Sequence, residues 1–194
     1  MIRSAFTLVL ASLALAVPAA AQQNTLRGEV DTAIGNRVVL ADTDVTLSGN
    51  LSALLATEGP VELLGEFVGP MDSPTFSVTS ISPGVETFDI AEVPRIGGSS
   101  YLEVSGAPGE LAFGFLSLGQ GVTPLLNGEV LLVDAGQVVV RGSGRIRADG
   151  SFEVPFTVPN DPTIVGMQVF GQGVVFRNNG GFELTNPDRA TIID

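Results

Sequence analysis

The stretch Ser151-Phe152-Glu153-Val154-Pro155-Phe156-Thr157-Val158 decides the fold class. Phe152, Val154, Phe156 and Val158 alternate with Ser151, Glu153, Pro155 and Thr157, a period of two that turns one set toward a core and the other toward water. A helix would need a period of 3.6. Pro155 has no N–H to donate to a neighbouring strand, so this strand lies at a sheet edge or carries a bulge. Working outward, the same pattern repeats at 101–105, 111–118, 129–133, 138–141, 166–176, 182–184 and 190–193, with turns such as Asp149-Gly150 and Asn179-Gly180-Gly181 between the runs. Seven or eight short strands in about 95 residues, with no helical pattern longer than a turn, predict a β-sandwich over 99–194. Within it, Asp161 can cap and Pro162 can open a single helical turn between two strands.

A break in composition precedes this unit. Pro83-Gly84, Pro94, Gly97-Gly98 and Ser99-Ser100 punctuate the segment 83–98, which reads as a linker. Before it, residues 22–82 read as a smaller unit. Thr25 to Val30 is a strand with Gly28 as a bend or bulge inside it, Ala33-Ile34-Gly35-Asn36 is a turn, and Arg37-Val38-Val39-Leu40 and Val45-Thr46-Leu47 are strands around Asp42-Thr43-Asp44. The period then changes. Asn50 can cap, Leu51, Leu54 and Leu55 share a helical face, and Gly59-Pro60 stops the helix. Strands 61–67 and 75–79 follow. The whole mature chain is therefore expected to be all-β: a five-stranded barrel with one short helix, then a sandwich.

Three strands, a short helix and two strands, with a bend-prone glycine in the first strand, resemble an OB-like barrel. Gly28-Glu29-Val30, Val38-Val39-Leu40 and Val61-Glu62-Leu63-Leu64-Gly65 are similar to the recurrent pattern of small OB-like domains in exported bacterial proteins. That resemblance covers about 60 residues and implies ligand contacts on strands two and three and on loops 32–36 and 69–74. A nucleic-acid reader would want basic residues and stacking aromatics there. Arg37, Phe67 and Phe76 stand against eight acids in this unit, which argues against nucleic acid. In the second unit, Pro159-Asn160-Asp161-Pro162 and Leu184-Thr185-Asn186 resemble a C-terminal sandwich-like domain of secreted proteins of planctomycete-type bacteria. This second resemblance implies an exported, modular protein and no mechanism.

Composition narrows the chemistry. The 194 residues contain no Cys, His, Trp or Lys, so all nine basic residues are Arg. Ser-His-Asp triads, Cys nucleophiles, Schiff bases, P-loop lysines and imidazole or thiolate zinc sites are excluded. What remains is carboxylate, amide, hydroxyl and backbone chemistry. Met1 to Ser4 carry one positive charge, Ala5 to Val17 form a 13-residue apolar run, and Ala19-Ala20-Ala21 supplies small residues for cleavage before Gln22. Residues 1–21 therefore read as a signal peptide, since 13 residues fall short of the roughly 20 that span a bilayer. Without Cys at the cleavage site a lipid anchor is not expected. Losing Arg3 takes the net charge from −12 to −13, which repels phosphate backbones and anionic lipids. An outer-membrane barrel would want aromatic girdles; eleven scattered Phe, one Tyr and no Trp do not supply them.

No side chain qualifies as a catalytic, cofactor-binding or metal-binding residue on sequence grounds. Leu132-Val133-Asp134-Ala135-Gly136 looks like half of an aspartic-protease signature, but that chemistry needs two carboxylates sharing a proton, and Ala135 stands where that family has Ser or Thr. The cheaper reading is a hairpin turn. Glu103, Glu110, Glu129 and Glu153 could supply the carboxylate pair of a glycosidase; alternation instead turns them outward as a solvated, edge-protecting face. Asp42-Thr43-Asp44 and Asn160-Asp161 are partial oxygen sets for calcium, more simply a turn and a cap. Arg141, Arg145 and Arg147 form the one basic cluster, able to dock a carboxylate but read first as solvated hairpin charge. The expectation is a secreted or periplasmic, non-catalytic binding or assembly protein with a protein or glycan partner, no cofactor and no stable membrane insertion. The alternatives are a carboxylate-dependent glycan hydrolase and a calcium-dependent adhesive module.

Overall fold

A computed structural model describes residues 23–33 and 37–194. The segment read as a signal peptide, 1–21, and three residues of the first turn, 34–36, lie outside the described residues.

Gly28 sets the geometry of the first unit. Strands β1 (Asn24–Gly28) and β2 (Val30–Ala33) are one strand bent at Gly28, whose φ of +150° and 3.1 Å clearance to Leu40 suit a residue without Cβ. The bend lets the first half pair antiparallel with β5 (Val61–Val68) while the second half pairs antiparallel with β3 (Arg37–Leu40). Strand β3 continues to β4 (Thr46–Gly49), β4 lies parallel to β6 (Thr75–Pro83), and β6 returns antiparallel to β5, so the sheet closes on itself. A parallel pair needs a crossover; here it is α1 (Leu51–Leu55) followed by β5. Asn50 caps α1 by accepting from the Ala53 N–H at 3.3 Å. Leu54 then seals the barrel interior with Leu26, Leu40, Leu63 and Phe76, all at most 1 % exposed. This is the small five-stranded barrel with one short helix that the sequence predicts.

The second unit is a sandwich. One sheet is β13 (Ser151–Thr157), β8 (Ser99–Ser105) and β7 (Phe88–Ala91), in that order. The other is β12 (Val139–Arg145), β9 (Leu111–Ser117), β14 (Gln168–Phe176) and β15 (Phe182–Leu184), with β16 (Asp188–Thr191) also pairing β14. The inner faces bury Phe88, Leu102, Val104, Ala112, Val154 and Val175 between them. Pro155 sits opposite Tyr101 on β13, an edge strand, as its missing N–H requires. Asp161 caps the single 3-10 turn Pro162–Ile164 by accepting from Thr163 N–H at 2.9 Å.

Two features depart from expectation. The segment 83–98 is not a linker throughout, because it holds β7, whose Phe88 and Ile90 belong to the sandwich core. Asn186 fixes that strand's start: its Oδ1 accepts from Thr87 and Phe88 N–H at 2.7 and 3.0 Å, and its Nδ2 donates to the Phe88 carbonyl at 2.9 Å. The Phe88 ring fills the space over Gly171, where a Cβ would stand 2.6 Å from it. The second departure is a hairpin of β10 (Gln120–Pro124) and β11 (Val130–Val133), in which β10 has no sequence signal. Val130 and Leu132 enter the barrel core while Leu131 and Val133 pack on the outer face of the larger sandwich sheet. Burial on both faces explains the unbroken apolar run. The two units thus share one hydrophobic seam. Among the described residues no helix is long and apolar enough to cross a membrane.

Candidate functional site: carboxylates at the junction of the two units

Two groups of carboxylates meet at the seam. The first is neutralised. Arg27, on the outer face of β1 but covered by the second unit, donates to Glu129 Oε2 at 2.6 Å, to Glu62 Oε2 at 3.1 Å and to the Leu184 carbonyl at 3.0 Å, and lies 3.2 Å from Glu183 Oε1. Glu183 also binds Arg177 at 2.6 Å, and Arg177 reaches Glu110 at 2.7 Å. One chain of ion pairs therefore runs from the barrel through the hairpin into the sandwich. Gln172 adds a neutral tie: it accepts from the Leu132 N–H at 2.9 Å and donates to the carbonyls of Val130 and Thr185 at 3.3 and 2.9 Å.

Glu110 and Glu129 therefore do not form the solvated face that strand alternation predicts; they are 5 % and 8 % exposed. Alternation assigns a side chain to one sheet face but is silent about what covers that face. Burial works to raise both carboxyls. At Glu110 the opposing hydrogen bonds from Arg177 and the Ala107 and Asn178 N–H groups, with the Arg177 charge, prevail and hold it below the usual range. At Glu129 burial prevails over Arg27, and the carboxyl is raised.

The second group is not neutralised. A cleft of about 130 Å³ opens between Glu29, Asp42 and Pro60 of the barrel and Glu86, Asn186 and Asp188 of the sandwich. Asp188 accepts from the N–H groups of Ile90 at 2.7 Å and Arg189 at 2.6 Å. Burial nevertheless pushes it up to about 6, with Asp42 and Asp89 adding to the rise. Burial also raises Asp42, against the pull of Arg189 at 3.5 Å and with the push of Glu29 and Asp31. Glu86 is raised by burial and by Asp89 and Glu29. Asp42 takes the left-handed conformation, φ +58°, in the turn where its neighbour Thr43 donates to Leu40 O at 2.8 Å. The arrangement offers concentrated negative potential, and one carboxyl that holds its proton near pH 6.

The residues singled out in the sequence mostly lie elsewhere. Glu103 stands opposite both Asp89 and Glu153 on the outward face of the smaller sheet, and Glu153 pairs with Arg147 at 2.7 Å. Arg145 donates to Gly109 O at 2.6 Å and Arg141 is exposed on edge strand β12, where charge blunts further pairing. Asp134 accepts from the Gly136 N–H at 2.8 Å, closing the turn between β11 and β12. Phe76 is not a stacking platform: it is fully buried, and Phe67 packs edge-on against it at 5.0 Å. Leu184-Thr185-Asn186 is architectural, since Thr185 bonds Gly173 and Asn186 fixes β7. Of the cleft carboxylates, only Asp42 stands out in the sequence. Glu86 sits in the supposed linker and Asp188 after Asn186-Pro187, with no local signal for either.

No family model and no curated protein matches the chain. Among solved structures, the sporulation control protein Spo0M from Bacillus subtilis is similar over 58 % of this chain and 51 % of that one, at 17 % identity and a TM-score of 0.28. The chain spans about half the length of that protein.

Proposed function

We propose that this is a secreted or periplasmic, non-catalytic protein that binds or assembles with a protein or glycan partner at the cell envelope or outside the cell. The observation that carries this reading is the use made of Glu110 and Glu129. Two of the carboxylates a hydrolase could use are instead committed to ion pairs: Glu129 to Arg27, which ties the hairpin to the barrel, and Glu110 to Arg177 within the sandwich. A cleft of about 130 Å³ is also small beside the roughly 300–1,000 Å³ of small-molecule sites. The apolar leader and acidic surface support an exported role, and the OB-like and sandwich-like resemblances support a modular one. The test is to substitute Glu103 and Glu153 singly and compare partner recovery with glycan turnover. A binding protein keeps its partner and releases no reducing ends; loss of a measurable turnover overturns the reading.

One observation favours a second reading, a carboxylate-dependent hydrolase: Asp188 is a carboxyl raised to about 6 beside other carboxyls in a cleft, an arrangement that can separate a general acid from a base. In that case Asp188→Asn abolishes turnover of a glycan substrate while Glu103→Gln does not.

A further inference from the structure

The geometry points to a proton-operated seam: the cleft between barrel and sandwich closes when its carboxyls are protonated and is pushed open when they are charged. The groups that face one another account for this. The barrel contributes Glu29 and Asp42, and the sandwich contributes Glu86 and Asp188, with Asp31 and Asp89 adding their charge from outside the cleft. Against the four lining acids stands Arg189, held 3.5 Å from Asp42. Glu29 and Glu86 are exposed, but Asp42 and Asp188 are partly buried, and like charges repel more there than they would in water. Water filling a cavity of about 130 Å³ is the response open to a seam that cannot neutralise itself.

The same seam is fastened beside the cleft. Arg27, the residue before Gly28 in the cleft wall, clamps Glu62, Glu129 and Glu183. Leu132 and Val130 of the hairpin are buried in the barrel while Gln172 holds them to the sandwich. Repulsion at the cleft therefore works against a fixed point, which converts charge into a change of angle between the units instead of their separation. Asp188, pushed up to about 6 in the cleft, places the change where it loses its proton as pH rises. An exported protein meets such pH differences.

The chain contains no cysteine, so two spin labels can be placed without background. Met71→Cys on the barrel and Val93→Cys on the sandwich are exposed and outside the cleft. The inter-label distance distribution of the labelled mature chain is measured at pH 4.5 and pH 7.5. A shift to longer and broader distances at pH 7.5 is expected, and a chain carrying Asp42→Asn and Asp188→Asn in addition should keep the acid-like distribution at both. Should that variant fail to fold, Asp42→Asn and Asp188→Asn made singly give the same decision, each moving the pH 7.5 distribution toward the acid-like one. Identical distributions at the two pH values, or a shift that none of these substitutions reduces, would overturn the proposal.

Discussion

Replacing Arg27 with Met leaves the shape of the stem largely intact and removes the guanidinium from the seam. Its partners differ in what they lose. Glu62 and Glu183 have side chains 38 % and 27 % exposed and can rehydrate, so each costs at most about 1 kcal/mol. Glu129 is 10 % exposed at the side chain and keeps only the Leu184 N–H, at 2.9 Å, among its charge-stabilising contacts. Stranding a buried carboxylate in this way costs about 3–5 kcal/mol. The Leu184 carbonyl also loses a donor at 3.0 Å, adding about 1 kcal/mol. Met regains some apolar contact, so the expected net loss is about 3–4 kcal/mol at pH 7.5. Adding Glu129→Gln to the variant removes the stranded charge and keeps an acceptor for Leu184; it should recover about half the loss. Urea unfolding followed by far-UV circular dichroism is the assay, since the chain lacks Trp. A loss below about 1 kcal/mol, or a double variant no more stable than the single, would show that the buried pair does not hold the units together.

Glu92 has φ +63° without being glycine, so Glu92→Gly should stabilise by about 0.5–1 kcal/mol in the same assay, relief of strain outweighing added chain entropy. Gln172→Leu strands the Leu132 N–H and two carbonyls and should cost roughly 3–5 kcal/mol, read as a lowered urea midpoint. The raised Asp188 has the opposite sign to the usual carboxylate: its contribution is fully present below about pH 4 and is lost as pH rises through about 6. Discounted for the share of the group that water reaches, it amounts to roughly 1–2 kcal/mol, and Asp188→Asn should flatten that part of the stability profile between pH 4.5 and 7.5. Calcium or a chelator should leave the melting temperature unchanged; an increase with calcium would favour the adhesive-module alternative.

Features set by neighbours along the chain were legible in the sequence. The alternation at 151–158, the bend at Gly28, the Asn50 cap and the Asp161-Pro162 turn each follow from local backbone chemistry, and each is in place. Features set by distant partners were not. Phe88 to Ala91 is four residues inside a Pro- and Gly-rich stretch, and it becomes a strand because Asn186 supplies its first hydrogen bonds from 98 residues away. Gln120 to Pro124 carries no apolar alternation and is ordered by pairing with β11. Glu110 and Glu129 stand just before β9 and β11, and the partners that bury them, Arg177 and Arg27, lie 67 and 102 residues away. The cleft is the extreme case, since its walls come from turns and strand ends of both units, and no periodicity marks such positions.

The most direct test of the proposed function presents residues 22–194 to glycans and envelope proteins of the native cells and measures binding and turnover on the same samples. Non-catalytic binding predicts a saturable complex that survives Glu103→Gln, Glu153→Gln and Asp188→Asn singly, with no reducing ends released. Glycan cleavage by the parent chain that one of these substitutions abolishes would contradict it.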